Sequence, residues 1–228
     1  ARLDQLSVDV ADIDAILVTH EHSDHTGGVT AVSKAAGAPI YATHGTLTSG
    51  KLEDARTIVE IESDSEFAIG DIEVSAITVP HDAREPVQYV FKHAAHRVGV
   101  LTDLGMASPH VQRAYEGCDL LLLEFNHDLA MLRRGPYPAA LKRRVSSDFG
   151  HLNNDQALGM LEAMGEAGVD MVELQMPFSE PTADGPLFVK ANQEALRNGI
   201  KLKDYFKLMK RASDSFEFPV LMMGYCNT

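Results

Sequence analysis

Cysteine is scarce in this chain, long apolar runs are missing, and positive charge is outnumbered. Only Cys118 and Cys226 occur in 228 residues, both in apolar surroundings. They cannot make a disulfide framework, so a reducing, cytoplasmic compartment is expected. No apolar run approaches the roughly 20 residues of a membrane span, and no signal peptide opens the chain. A membrane is therefore not expected among its partners. Lysine and arginine number 20 against 33 acidic residues, a net charge of -13. That balance disfavours non-specific adhesion to nucleic acid or anionic membrane. It leaves room for a local basic groove, and bound divalent cations would offset charge near a site. The chain opens at Ala1 rather than at a methionine, so a natural start outside this sequence is an expectation.

What is present is ordinary globular material: 45% hydrophobic and 23% charged residues, enough for one large domain or two small ones. The densest chemistry lies in Thr19-His20-Glu21-His22-Ser23-Asp24-His25-Thr26-Gly27-Gly28. It follows the apolar run Ala15–Val18, which reads as a buried strand. A strand end opening into a tight polar loop can aim several side chains at one point. Imidazole and carboxylate are ligands that zinc, manganese or iron accept.

Further along, strands are expected at residues 39–42, 58–61, 67–69 and 72–79, and a hairpin at 87–91 with 97–101. Helices are expected at 29–36, 45–52 and 108–115, and a strongly apolar strand at Leu120–Leu123. Strand ends deliver His81, Asp103 and the stretch Glu124-Phe125-Asn126-His127-Asp128. Repeated delivery of His and acidic groups to loops is how one edge of a sheet builds a shared site. A basic stretch, Leu132 to Val145, precedes Phe149-Gly150-His151-Leu152. From Gln156 the texture becomes helix 156–167, strand 169–176, polar loop 177–186, helices 187–196 and 202–211, and strand 218–223. This is β-α-β grammar.

On these motifs, residues 1–155 resemble the metallo-β-lactamase superfamily, with His-x-His-x-Asp-His filled by His20, His22, Asp24 and His25. The blocks around His81, Asp103, Glu124 and His151 bring it nearest to the YycJ/WalJ-like hydrolases. The resemblance implies an αββα sandwich, incomplete here, and a centre of two divalent metal ions. His20, His22 and His81 would hold the first ion and Asp24, His25 and His151 the second, with Asp103 bridging. Asp24 and Asp103 would be the catalytic carboxylates, Asp24 orienting a metal-bridging hydroxide. Paired cations lower the pKa of bound water and clamp the attacking and leaving oxygens. Zinc, manganese and iron all stay open. The resemblance implies exonuclease-like phosphodiester hydrolysis, with DNA as a partner. Arg133, Arg134, Lys142, Arg143 and Arg144 could hold phosphates or form a solvated helix face. His127 could touch substrate or, with Asp128, close a turn.

Residues 156–228 resemble the tryptophan synthase α subunit, through the stretch Glu173 to Pro186 and through Met222-Met223-Gly224-Tyr225-Cys226-Asn227. Gln175 stands where that family usually has glycine, and Glu180 where it has aspartate. The resemblance implies a βα fragment of a TIM barrel, with Glu173 and Asp184 in acid/base positions for cleaving indole-3-glycerol phosphate. The tryptophan synthase β subunit would be the partner on that alternative. A barrel closes with eight βα units, so the segment is expected to be a remnant. The chain is accordingly expected to hold two domains, 1–155 and 156–228, both truncated. A non-catalytic metal-binding fusion product is the third expectation.

Overall fold

The computed structural model describes residues 8–52, 55–166, 172–175, 196–197, 201–215 and 220–223. By packing, the chain divides into two compact units, residues 1–95 and 96–228.

The first unit carries two sheets. Strands β1 (Ile16–Leu17), β2 (Ile40–Thr43) and β3 (Ile58–Ile61) run parallel. Strands β4 (Ser65–Ile69), β5 (Ile72–Thr78) and β6 (Val87–His93) form an antiparallel meander, with Ser65 opposite Ala76 and Thr78 opposite Val87. The alternation of strands is read in the packing: Val74 and Ala76 are buried while Glu73 beside Val74 is exposed, the period of two a half-buried sheet requires. One core gathers Val18, Val29, Ile40, Ala42 and Leu52. A second gathers Ile61, Val74, Ala76, Val87 and Tyr89, with Leu17, Tyr41, Val59 and Phe67 packed against it.

Helix α1 (Ser23–Thr26) is a single turn inside the His/Asp motif, and α2 (Val29–Ala36) follows it. Gly37 ends α2 in the left-handed region, φ +73, with its N–H donating to the Ser33 carbonyl, as glycine permits at such a position. Helix α3 (His44–Leu47) is shorter than the expected 45–52. It gives way to a turn in which Gly50 has φ +77, a backbone angle incompatible with continuing a helix.

The second unit is a parallel sheet with helices. Strand β7 (His96–Leu101) pairs with β8 (Leu120–Leu123), Val98 opposite Leu120. Helix α4 (Pro109–Tyr115) lies between them in sequence, started by the Ser108 hydroxyl accepting from Val111 N–H at 3.3 Å and by Pro109 at its first position. Arg97 donates to the carbonyls of Ala114 and Glu116 at its other end. The basic stretch 132–145 falls in two helices, α5 (Leu129–Arg134) and α6 (Ala139–Val145), separated by Gly135-Pro136-Tyr137-Pro138; proline removes a donor and disfavours a helical predecessor.

Helix α7 (Asn154–Glu166) leads to β9 (Val172–Gln175), and α8 (Leu202–Ser215) to β10 (Val220–Met223). β9 and β10 are parallel, as the β-α-β reading expects. β9 also joins β8, Leu121 opposite Val172. Strands on either side of residue 155 thus share one sheet, which covers an edge that would otherwise invite association. The expected loop 177–186 and helix residues 187–195 lie outside the described residues. No helix among those described is long and apolar enough to cross a membrane.

Candidate metal centre

β1 is short, yet its continuation is firmly held. Val18 N–H donates to the Tyr41 carbonyl at 2.9 Å, and the Thr19 carbonyl accepts from Val87 N–H at 3.0 Å. The Tyr89 hydroxyl donates to the Val18 carbonyl at 2.9 Å. Burial pushes the Tyr89 phenol far above its ordinary value, so it stays a donor. His20 therefore emerges from a fixed strand end, 1% exposed. His22 is the residue before α1 and does not use its side chain to cap it, which leaves its ring for other partners.

His81 follows β5 and is 4% exposed. Its loop is tied back twice. Glu21 Oε1 accepts from Arg84 N–H at 2.9 Å, joining it to the His20–His25 turn. Glu85 accepts from Gly45 N–H at 2.7 Å and from the Ser63 hydroxyl at 2.6 Å. Lys51 Nζ donates to the Glu21 carbonyl at 2.7 Å.

These constraints bring three imidazoles together. His20 Nε2 lies 3.0 Å from His22 Nδ1, and His81 Nε2 lies 3.4 Å from the same atom. A tetrahedral site with Zn–N near 2.0–2.1 Å has N···N edges of about 3.4 Å. Each N···N contact can hold a single proton, whereas a cation lets every ring contribute a lone pair. Thr19 Oγ1 lies 3.0 Å from the Nδ1 of both His20 and His25. A hydroxyl oxygen can accept from both, which leaves Nε2 of each ring as the ligand atom. The donor set fits a divalent transition metal. His25 Nε2 is 3.8 Å from Asp24 Oδ2, so those two expected ligands also lie side by side. Asp82, which sequence reasoning did not single out, places Oδ1 3.6 Å from His81 Nε2 and 3.9 Å from His22 Nε2.

In the second unit Asp103 and His151 come together, Oδ1 to Nδ1 at 3.7 Å. Asp103 has φ +42, an uncommon angle for a residue with a side chain, and its Oδ2 accepts from the Thr102 hydroxyl at 3.0 Å. Glu124 is the residue the sequence left unassigned. Its Oε1 accepts from Leu104 N–H at 3.0 Å and its Oε2 from His151 Nδ1 at 3.1 Å. With a carboxylate oxygen accepting, Nδ1 is the donor of this pair, which leaves Nε2 as the ring's ligand atom. A carboxylate at a strand end, twenty residues beyond Leu104, gives no sequence signal of that pairing.

Asp128 closes a turn, its side chain accepting from Met131 N–H at 2.7 Å to start α5. His127 Nδ1 lies 3.1 Å from Asn126 Oδ1, while Nε2 is buried with no hydrogen-bond partner. Burial first, and the neighbouring His151 second, lower its pKa against the opposing pull of Asp128. His127 is thus neutral at pH 7. Arg133 and Arg134 lie in the last turn of α5, and Lys142, Arg143 and Arg144 in that of α6, where cations complement the helix dipole. Lys142 is spent on the Arg133 carbonyl at 2.8 Å; Arg133, Arg134, Arg143 and Arg144 are exposed. Glu173 lies on β9, and Asp184 lies outside the described residues.

Residues 2–172 match the model of the beta-lactamase superfamily domain. The chain belongs to that superfamily. Exodeoxyribonuclease YycJ of Bacillus anthracis is 36% identical over 169 residues, 70% of this chain and 62% of YycJ. This superfamily member spans about 60% of the length of such curated relatives. The metallo-beta-lactamase fold protein YhfI of Bacillus subtilis superposes with a TM-score of 0.63 at 17% identity, covering 99% of this chain and 81% of YhfI, which establishes the fold. Residues 148–228 match the tryptophan synthase alpha chain model. The Syntrophotalea carbinolica alpha chain is 44% identical over 78 residues, 34% of this chain and 31% of that one. Both resemblances read from the motifs are therefore present in one chain.

Proposed function

We propose that this chain is a metal-dependent hydrolase that cleaves phosphodiester bonds in DNA. The observation that carries this is the trio His20, His22 and His81, with facing nitrogens 3.0 and 3.4 Å apart. In this proposal the trio would hold one divalent ion; the family resemblance implies that Asp24, His25 and His151 would serve a second, with Asp103 as a further ligand. Bound there, the ions supply Lewis acidity and a lowered pKa for water.

The remaining work falls to the chain itself. Thr19 holds two rings with Nε2 available, and Glu124 does the same for His151. Asp24 offers a partly exposed carboxylate that can take a proton from the attacking water. The exposed Arg133, Arg134, Arg143 and Arg144 hold backbone phosphates. His127 keeps Nδ1 on Asn126 and its Nε2 buried, so it is assigned no contact with substrate. The exodeoxyribonuclease activity in the name of the Bacillus anthracis relative supports DNA as substrate.

The test is elemental analysis joined to an exonuclease assay over a salt series. About two metal equivalents are expected, lost in His20→Ala and reduced in Asp103→Ala, with cleavage falling as salt rises. Metal bound without phosphodiester cleavage would leave a metal-binding protein and overturn the proposal. Cleavage insensitive to salt would remove the arginines from it.

The alpha-chain match supports a second function, indole-3-glycerol phosphate cleavage with Glu173 and Asp184 as acid and base and the tryptophan synthase β subunit as partner. The described residues of that segment supply two parallel strands of the eight a barrel uses. Indole release from indole-3-glycerol phosphate, abolished in Glu173→Gln, would be required to sustain it.

A further inference from the structure

We propose that Phe149 is a stacking platform for a nucleobase of the substrate strand, an inference that rests on the phosphodiesterase function above. Phe149 is 60% exposed, more than any other large apolar side chain among the described residues. Single exposed apolar residues are common and need no explanation. Phe149 differs in how its backbone is held and in what stands beside it.

The loop from Ser146 to His151 folds back onto the end of α6. Gly150 N–H donates to the Ser147 carbonyl at 2.8 Å, and His151 N–H to the Val145 carbonyl at 2.9 Å. A Cβ at Gly150 would collide with the carbonyl oxygens of Arg144 and Val145. Gly105, two residues past Asp103, is pressed just as closely onto the backbone of Asp148 and Gly150. Phe149 thus sits between two close backbone contacts. It is two residues from His151, on a loop locked to the one carrying Asp103.

The flanking chemistry is that of a nucleic-acid groove. Arg143 and Arg144 occupy the last turn of α6, where this loop begins. Met106, also exposed, follows Gly105 on the other side of the contact. Proteins that hold single strands combine cations for the backbone with rings on which bases stack, and stacking tolerates any base. An exposed ring on a tightly held backbone, with guanidinium groups before it and a candidate metal ligand after it in sequence, has that composition. The inferred ligand is an unpaired terminal nucleotide, its base on Phe149 and its phosphates on Arg143 and Arg144.

The chain contains no tryptophan, so Phe149→Trp creates a single fluorescent reporter at the site. The probes are a phosphorothioate oligonucleotide, which resists cleavage, and an abasic phosphorothioate strand of equal length and charge, added to the metal-loaded protein. Stacking predicts that the first quenches the indole emission of the Phe149→Trp variant and the second does not. Phe149→Ala should weaken binding of the base-carrying strand by about 5- to 150-fold and leave binding of the abasic strand unchanged. Circular dichroism and the melting temperature should match the parent, since the ring is exposed. Equal quenching by both strands, or unchanged affinity in Phe149→Ala while the parent still binds and cleaves DNA, would overturn the stacking role alone. Failure of the parent to bind either strand, or to cleave an unmodified phosphodiester strand of the same sequence, would overturn the phosphodiesterase function, and this inference with it.

Discussion

Glu124 Oε2 accepts the Nδ1 proton of His151 at 3.1 Å, while its other oxygen holds Leu104 N–H. One carboxylate thereby sets both the tautomer of a candidate ligand and the backbone next to Asp103. Partners of this kind typically account for a factor of 10–100 in metal affinity. Glu124→Gln presents an NH2 group to one of its two partners and should weaken metal binding by that factor. Competition titration against a chromophoric chelator measures it. Unchanged affinity would reduce Glu124 to a loop anchor.

The Gly150 contact predicts a stability effect. Gly150→Ala places a methyl group against the carbonyls of Arg144 and Val145, atoms that cannot move without opening the end of α6. Overpacking of this kind costs about 1–3 kcal/mol, read from the midpoint of urea unfolding. Gly28, with nothing near its missing Cβ, is the control site, and Gly28→Ala should cost less.

Where the chain punctuates itself, its structure was legible from sequence. Gly28 and Gly37 bracket α2, which occurs at Val29–Ala36 as the pattern predicts. The strand at Leu120–Leu123 declares itself by four consecutive leucines. The convergence of His20 and His22 was legible because a strand end precedes them, and His81 joins them in space. Glu124 was not, because its partners are 20 and 27 residues away and a lone glutamate at a strand end has many uses. Nor was the pairing of β8 with β9, since two family resemblances meeting in one chain carry no signal of shared hydrogen bonding.

His127 gives a pH prediction. Its pKa is lowered from 6.5, by burial above all, so the unfolded chain takes up a proton at a pH where the folded one does not. Stability is then full above pH 6.5 and falls as pH drops from there toward the folded value. His127→Gln should flatten the dependence of unfolding free energy on pH below 6.5 and leave the slope above pH 7 unaltered. Parallel curves for parent and variant would show that the ring is not held neutral.

Thr19 supports a last prediction, because one hydroxyl lies 3.0 Å from the Nδ1 atoms of both His20 and His25. Those rings lie with centroids 4.1 Å apart, so neither can turn independently of the other. Thr19→Val keeps the shape of the side chain and removes the acceptor. The Nδ1 protons then lose their partner, the tautomer with Nε2 bare is no longer favoured, and cation affinity should fall by about 10–100-fold. A ligand bound to the folded state alone stabilises it by RT ln(1 + [L]/Kd), so the increase in melting temperature on adding zinc should shrink in the variant. The metal-free melting temperature should change much less, since Thr19 keeps its backbone bond to Val87. A zinc-induced shift equal to the parent's would mean that His20 and His25 are oriented without the hydroxyl.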